Sequence, residues 1–524
     1  MDNLSDAAQT ARRAAFSRAV AEGRLTPLVI PYSLLGAFFV PVLWLTIPHA
    51  RRPWLYHTRW LVMAFVVAFN INVIRQTSSS RFAFAYATGL MAAWGIISNL
   101  SLLIWTRPQF DAARAVRVST RPAPVPTTKG PSRQASARWA GDARQRRRRQ
   151  VSVADSTVQQ QTAVFVWQPF PADGPFLQRL GWALDLACSF RGSGWNWSIT
   201  SIPHPQIPPV ARPGELVDLD SIPRVSKSGY ECCLTEREFV RRRLASVAVM
   251  YLVLDLGSVL MVKDPYFVLG PGHSDETPSY LGGMPPWLLL AYRELLTVAG
   301  ILSAIQGYFS LHDLIQYWLS KLCFPSRAAP WFHTSVFGSF SQLLDRGLAG
   351  WWGASWHQTF RHQFLAPATY LVKHGYLNKG SRWAAITAAF VSFLQSGLLH
   401  ASGSMTSTPG TKPWHPVAFF LLQVVGIIIE KTLHGVMVRC FPNPSRVVTR
   451  AINLLWVTSW LYMTGVFFVD DFAATGAWLM EPVPMSPLRW LGYGHPTDHW
   501  WRWDCRHFFK WHSGKHWWES GIAI

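Results

Sequence analysis

FAFAYATGLMAAWGIISNLSLLIW, residues 82–105, contains no charged side chain. A helix needs about 20 apolar residues to cross a bilayer, and this run is long enough. Comparable runs cover 28–47, 60–74, 244–262, 287–307, 383–400, 417–436 and 451–469. The expected fold is all-α, a polytopic membrane protein of about eight transmembrane helices with further re-entrant and interfacial helices. Composition agrees. Only 15% of the 524 residues are charged, against about 25% in soluble chains. The 28 tryptophans suit the membrane interface, where an apolar ring with one N–H donor is at home.

The net charge of +21 raises nucleic acid as a partner. The basic residues crowd into loops between apolar runs, so orientation in an anionic lipid bilayer is the better account and no nucleic-acid partner is expected. The six cysteines show no metal-ligand spacing and no disulfide framework. Cys232-Cys233 reads as a reduced pair or a palmitoylation site. No cleavable signal peptide is read, and the first apolar run is taken as a signal anchor.

Five regions are expected. Residues 1–26 form a polar tail, and 27–105 hold the N-terminal transmembrane helices. Residues 106–165 form a basic disordered loop containing Arg146-Arg147-Arg148-Arg149, too polar to bury a core. Residues 166–470 form the main body, and 471–524 an aromatic and basic tail. The positive-inside rule puts the basic loop in the cytosol. Phe176 to Cys188 has helical apolar spacing and suits an interfacial helix, and 231–243 a charged surface helix. Asp255, Arg293 and Glu294 interrupt apolar runs and should face protein or water.

Residues 330–378 read as short or re-entrant helices around Trp351-Trp352-Gly353-Ala354-Ser355-Trp356-His357-Gln358-Thr359-Phe360-Arg361. If this stretch is helical, Trp352, Trp356 and Phe360 share one face, and His357 and Arg361 the adjacent one. By itself that describes an interfacial helix as well as a site. His400 ends an apolar run at Ser396-Gly397-Leu398-Leu399-His400. An ionisable group there is a functional candidate, or else it snorkels to the interface. Arg191-Gly192-Ser193-Gly194-Trp195-Asn196-Trp197 lacks the third glycine of a dinucleotide fingerprint. It reads equally as a phosphate-contacting mouth or as a tight turn pinned by two tryptophans. No zinc-protease motif, nucleophile elbow or P-loop is present.

These three blocks, in this order, resemble the wax synthase-like branch of the membrane-bound O-acyltransferases, and most closely the fungal members that acetylate terpenoids and related secondary metabolites. The family's middle block usually reads Phe-Trp-Gly-Arg-Arg-Trp. Here Trp351 replaces the phenylalanine, and Ala354 and Ser355 replace the arginines. The resemblance implies an enzyme of the endoplasmic reticulum membrane. It would move an acetyl or other acyl group from acyl-CoA to the hydroxyl of a lipophilic alcohol. His400 and His357 are then catalytic, with His400 as the base. Gln358, Arg361, Trp356, Trp352, Arg191, Trp195, Asn196 and Trp197 bind substrate. Acyl-CoA is a co-substrate, and no bound cofactor or metal is implied. Long-chain wax ester synthesis is one alternative. A non-enzymatic transporter or scaffold is another, in which Asp255, Arg293 and Glu294 would line a path.

Overall fold

Residues 3–50, 52–119, 163–208, 210–273, 277–407, 410–440, 444–503 and 509–524 are described by a computed structural model. In chain order its main helices are α1 (Leu4–Ala21), α2 (Val40–Thr46), α3 (Arg59–Gln76), α4 (Phe82–Asn99), α5 (Phe176–Cys188), α6 (Glu236–Met261), α7 (Pro286–Cys323), α8 (Ser341–Gly350), α9 (Arg361–Lys373), α10 (Arg382–Thr406), α11 (Trp414–Cys440) and α12 (Arg446–Ala474). Short strands are β1 (Val29–Ile30), β2 (Ala113–Ser119), β3 (Ala163–Pro169), β4 (Lys510–His512) and β5 (Gly521–Ala523). Seven helices among the described residues are long and apolar enough to cross a membrane. The all-α polytopic expectation holds.

Polarity runs inside out along these helices. On α6, Leu244, Val249, Leu252 and Leu256 are exposed, whereas Asp255 and Ser258 are buried. On α7, Leu295, Leu311, Ile315 and Leu319 are exposed, whereas Arg293, Thr297, Ser310 and Asp313 are buried. Lipid solvates the apolar face, and polar groups find partners only within the bundle. Arg293 holds Asp264 through two bonds of 2.8 and 2.9 Å. Asp255 accepts the Leu488 N–H of the C-terminal region at 3.0 Å. Arg243 bonds Asp313 at 2.8 Å. These charges tie elements together, as inward-facing groups should.

Four expectations need correction. The first run, expected as a full span over 28–47, is a shorter apolar helix, Tyr32–Thr46. Its rise is roughly 22 Å, less than the roughly 30 Å hydrocarbon layer. Val29 and Ile30 are strand because they pair with β5 of the C-terminal tail. The span expected over 287–307 continues without a break to Cys323. The surface helix expected over 231–243 is the first part of α6, which begins at Glu236 behind the Thr235 cap. The basic loop is ordered at both edges. There β2 and β3 pair antiparallel, Ala113 opposite Pro169 through to Ser119 opposite Ala163. Alternation explains the pairing, since Ala113, Ala115, Phe165 and Trp167 are buried in one cluster with Val217 and Trp331. Residues 120–162, including Arg146-Arg147-Arg148-Arg149, lie outside the described residues.

Alternation of the spans puts the starts of α6 and α10, and the ends of α4 and α7, on the side of the β2–β3 hairpin. At the centre α10 packs on both α4 and α11. Gly397 permits the second approach: a Cβ there would stand 2.8 Å from the Cα of Val417.

Candidate functional site

The site begins at a kink. Inside α8, Gly347 has φ 60° and ψ −141°, backbone that an L side chain adopts only under strain. A Cβ there would also overlap the Glu430 carboxylate of α11. That carboxylate accepts the backbone N–H groups of Leu348 at 2.7 Å and Ala349 at 3.2 Å. The kink frees these donors, and the carboxylate satisfies them.

The chain then forms a π-turn, Trp351–Ser355, and leaves it at Trp356, whose ψ of 151° is extended. Residues 351–361 are therefore not one helix, and the face-sharing expected for them is corrected. Gln358 explains the break. Its Nε2 donates to the carbonyl oxygens of Trp352 at 2.9 Å and Trp356 at 2.8 Å. Arg361 donates to the Gly353 carbonyl at 2.8 Å and to Gln358 Oε1 at 2.6 Å. Tyr230 donates its hydroxyl to the Trp356 carbonyl at 2.8 Å. Gln358 and Arg361 thus fasten the turn's carbonyls. Ala354 is fully buried, and Ser355, nearly so, donates to the Ser339 carbonyl at 2.8 Å. The two positions where the family pattern has arginines are thus buried in packed protein.

The turn aims its aromatic rings at α10 and α11. Trp352 meets Phe393 at 5.7 Å, Phe420 at 6.0 Å and Trp356 at 5.5 Å between ring centroids. Its indole N–H reaches Gln423 Oε1 at 3.3 Å. His357 lies against Trp356 at 5.2 Å and Phe360 at 5.9 Å. Its Nδ1 is buried and has no hydrogen-bond partner among the described residues.

His400 stacks on Phe420, 5.2 Å away with ring planes 16° apart, and meets Phe468 edge-on at 5.2 Å. Its Nδ1 shares a 2.8 Å hydrogen bond with the Tyr86 hydroxyl of α4. Phe420 touches both Trp352 and His400, so the chain His357–Trp356–Trp352–Phe420–His400 is continuous ring to ring. Both histidines thus belong to one cluster of packed aromatic rings between α4, α10, α11 and the π-turn.

The Arg191–Trp197 block is elsewhere and already has partners. Arg191 donates to the carbonyls of Ser335 at 2.6 Å and Thr334 at 3.1 Å. Trp195 is buried, and its indole N–H meets Ser189 Oγ at 2.8 Å. Asn196 accepts the Ala113 N–H at 2.9 Å and donates to the Asp111 carbonyl at 2.8 Å. Trp197 packs on His362 at 4.5 Å. Of the two readings of this block, the pinned turn describes the geometry. Gly194, at φ 72°, has its Cβ position filled by the Phe332 ring. Gly194→Ala is expected to cost about 1–3 kcal/mol through strain and overlap, seen as a lowered Tm of the purified protein.

Sequence reasoning missed Tyr86, Phe420, Gln423 and Glu430. Glu430 carried a signal, as the only carboxylate in the run 417–436. Tyr86 carried none, sitting in an uncharged span that gives no sign of its partner.

The fold and these contacts define a polytopic α-helical membrane protein with two histidines linked through one aromatic cluster. Residues 333–422, which contain both histidines, match the membrane bound O-acyl transferase family, and the resemblance read from the motifs is borne out. The relatives are fungal. The chain is 26% identical over 275 residues to the O-mevalon transferase yanI of Aspergillus niger, covering 49% of this chain and 53% of that one. It is 24% identical over 337 residues to the acetyltransferase aurG of Calcarisporium arbuscula, covering 62% and 73%. With the acetyltransferase ple2 of Rhodocybe pseudopiperita it shares 26% over 288 residues, covering 54% and 64%. The first of these matches thus spans about half of its relative's length. No solved structure matches.

Proposed function

We propose that the protein is a membrane-bound O-acyltransferase that moves an acetyl group from acetyl-CoA to the hydroxyl of a lipophilic alcohol of the terpenoid kind. The observation that carries the reading is that His357 and His400 both fall inside the family-matched segment, 333–422, and belong to one cluster of packed aromatic rings. The relatives' printed names, acetyltransferase and O-mevalon transferase, support transfer to oxygen and a small acyl group. Arg293 and one oxygen of Asp255 are engaged in structural bonds, whereas Asp255 Oδ1 and Glu294 Oε1 are buried without a partner among the described residues, so the enzyme reading rests on the family match and the relatives and not on these charges.

In the proposed step His400 Nδ1 carries a proton and donates it in the bond to Tyr86 Oη, leaving the Nε2 lone pair for substrate. Nε2 takes the proton of the acceptor hydroxyl as its oxygen attacks the thioester carbonyl. The new C–O bond forms, the C–S bond breaks, and the proton passes from Nε2 to the departing thiolate. His357 Nδ1, buried without a partner, serves as the N–H donor to the carbonyl oxygen as it gains charge. Gln358 and Arg361 hold the loop that presents His357, a positioning role in place of the direct substrate contact expected from sequence. The donor enters from the side of the β2–β3 hairpin, taken as cytosolic in the endoplasmic reticulum membrane.

The test incubates microsomes bearing the protein with labelled acetyl-CoA and a lipophilic alcohol extract. Ester formation that disappears in His400→Ala is the expected result. Ester formation that is equal in the two would overturn the reading. Tyr86→Phe is expected to lower kcat by about 10-fold with KM little changed, because the hydroxyl orients the base without binding substrate.

A further inference from the structure

The bundle contains an apolar cavity of about 330 Å³, within the size range of small-molecule sites. One wall is every third or fourth residue from Leu34 to Leu45; the facing wall follows the same spacing on α4 and its continuation, from Met91 to Leu102. Each row spans twelve residues, eleven steps along the helix, so the cavity runs roughly 16 Å along the helix axes. Its few polar side chains lie in the middle: Ser98, and Asn99, whose amide N–H groups go to the carbonyls of Ala37 and Gly95. Cys188 and Phe190 line the cavity from a third direction.

The cavity wall packs against the aromatic rings around His357. Trp94 and Phe190, both in its wall, meet Phe360 at 4.5 and 6.1 Å between centroids, and Phe360 meets His357 at 5.9 Å. One aromatic ring, that of Phe360, separates the cavity wall from His357. The cavity is partly open, bordered by half-buried side chains such as Leu34, Phe38, Met91 and Trp94, so an apolar body can enter it from the lipid. An occupant held here has a hydrocarbon body and carries its reactive group at one end.

We propose that this cavity is the binding site for the hydrocarbon body of the acceptor alcohol, a sesquiterpene-sized skeleton, which reaches the histidines past Phe360. The inference rests on the acyltransferase reading for the hydroxyl's destination. A two-carbon acetyl donor has no use for an apolar slot of this length, which is why the acceptor is assigned to it. A long acyl chain on the donor is the competing source of the same chemistry, and the test separates them.

Cys188 is the reporter. It is exposed at the rim of the cavity, and its modification by N-cyclohexylmaleimide is followed as a rate at mildly alkaline pH. The full chain in nanodiscs is labelled alone, with farnesol, with hexanol and with lauroyl-CoA, and each cysteine is read by peptide mass spectrometry. Cys323, exposed at the end of α7, is the internal control. Farnesol is expected to slow Cys188 labelling several-fold while hexanol and lauroyl-CoA do not, with Cys323 constant. Met91→Trp and Leu102→Phe fill the cavity from its two ends. Each is expected to remove the protection and to lower turnover of farnesol more than that of hexanol, with the Tm showing which variant is folded. Protection by lauroyl-CoA in place of farnesol overturns the acceptor assignment, and protection by neither overturns the site. Farnesol protection in a protein that forms no ester from any alcohol leaves the site standing and defeats the acyltransferase reading alone.

Discussion

His400→Ala is expected to lower acyl transfer by about 10²–10⁴-fold, the range a positioned general base supplies. The loss should fall on kcat, because the imidazole acts on a proton in flight and not on the bound substrate. The variant should still insert and fold. His400 lies near the end of α10, six residues before Thr406, and its removal leaves Phe420, Phe468 and Tyr86 in contact with their other neighbours. Detergent-extracted variant and parent should therefore elute alike on size exclusion and melt within a few degrees of each other. Against that background, unchanged turnover eliminates His400 as the base. His357→Ala gives the contrast. It removes the proposed donor to the carbonyl oxygen, and losing one such donor costs about 10²–10³-fold in turnover. If both single variants and the double variant lose activity to the same extent, the histidines act as one unit.

How far the sequence could be read depends on which interactions are local. Seven long apolar helices were legible because hydrocarbon demands length and low charge, both visible in one dimension. The first run misled because Val29 and Ile30 pair with Gly521–Ala523, a contact across almost the whole chain. Arg191 to Trp197 stood out by composition, yet its polar groups bind carbonyls at 334–335 and the edge of β2. Only the fold reveals that these partners exist. The stretch 351–361 illustrates the same limit at short range. Its spacing fits an α-helix, but Gln358 and Arg361 hydrogen-bond the carbonyls of the preceding turn and divert the backbone before α9 begins. Tertiary hydrogen bonds decide how the motif residues are placed. Gln358 and Arg361 hold the frame, while His357 is left with an unpartnered nitrogen.

Glu430→Ala is expected to disable the site from a distance. The carboxylate accepts two backbone N–H groups at the start of the kinked segment, and alanine leaves both without an acceptor in surroundings of low polarity. Each unsatisfied donor costs about 1–3 kcal/mol, enough to release the 348–356 backbone from α11. Trp352 would then lose its register against Phe419 and Phe420, and His357 its alignment with His400. Turnover should fall by an order of magnitude or more, and the Tm by several degrees, in contrast to the near-parental melting expected of His400→Ala. Glu430→Gln keeps one carbonyl acceptor and should recover part of both quantities. That partial rescue separates hydrogen bonding to the kink from a need for negative charge in the span. A proton-carrying role would predict equal loss in the alanine and glutamine variants with unchanged melting. Gly347→Ala attacks the same joint from the other side, placing a methyl group where the carboxylate sits and forcing a strained φ. It should resemble Glu430→Ala in both Tm and turnover. Because the two lesions act on one contact, combining them should cost much less than their sum.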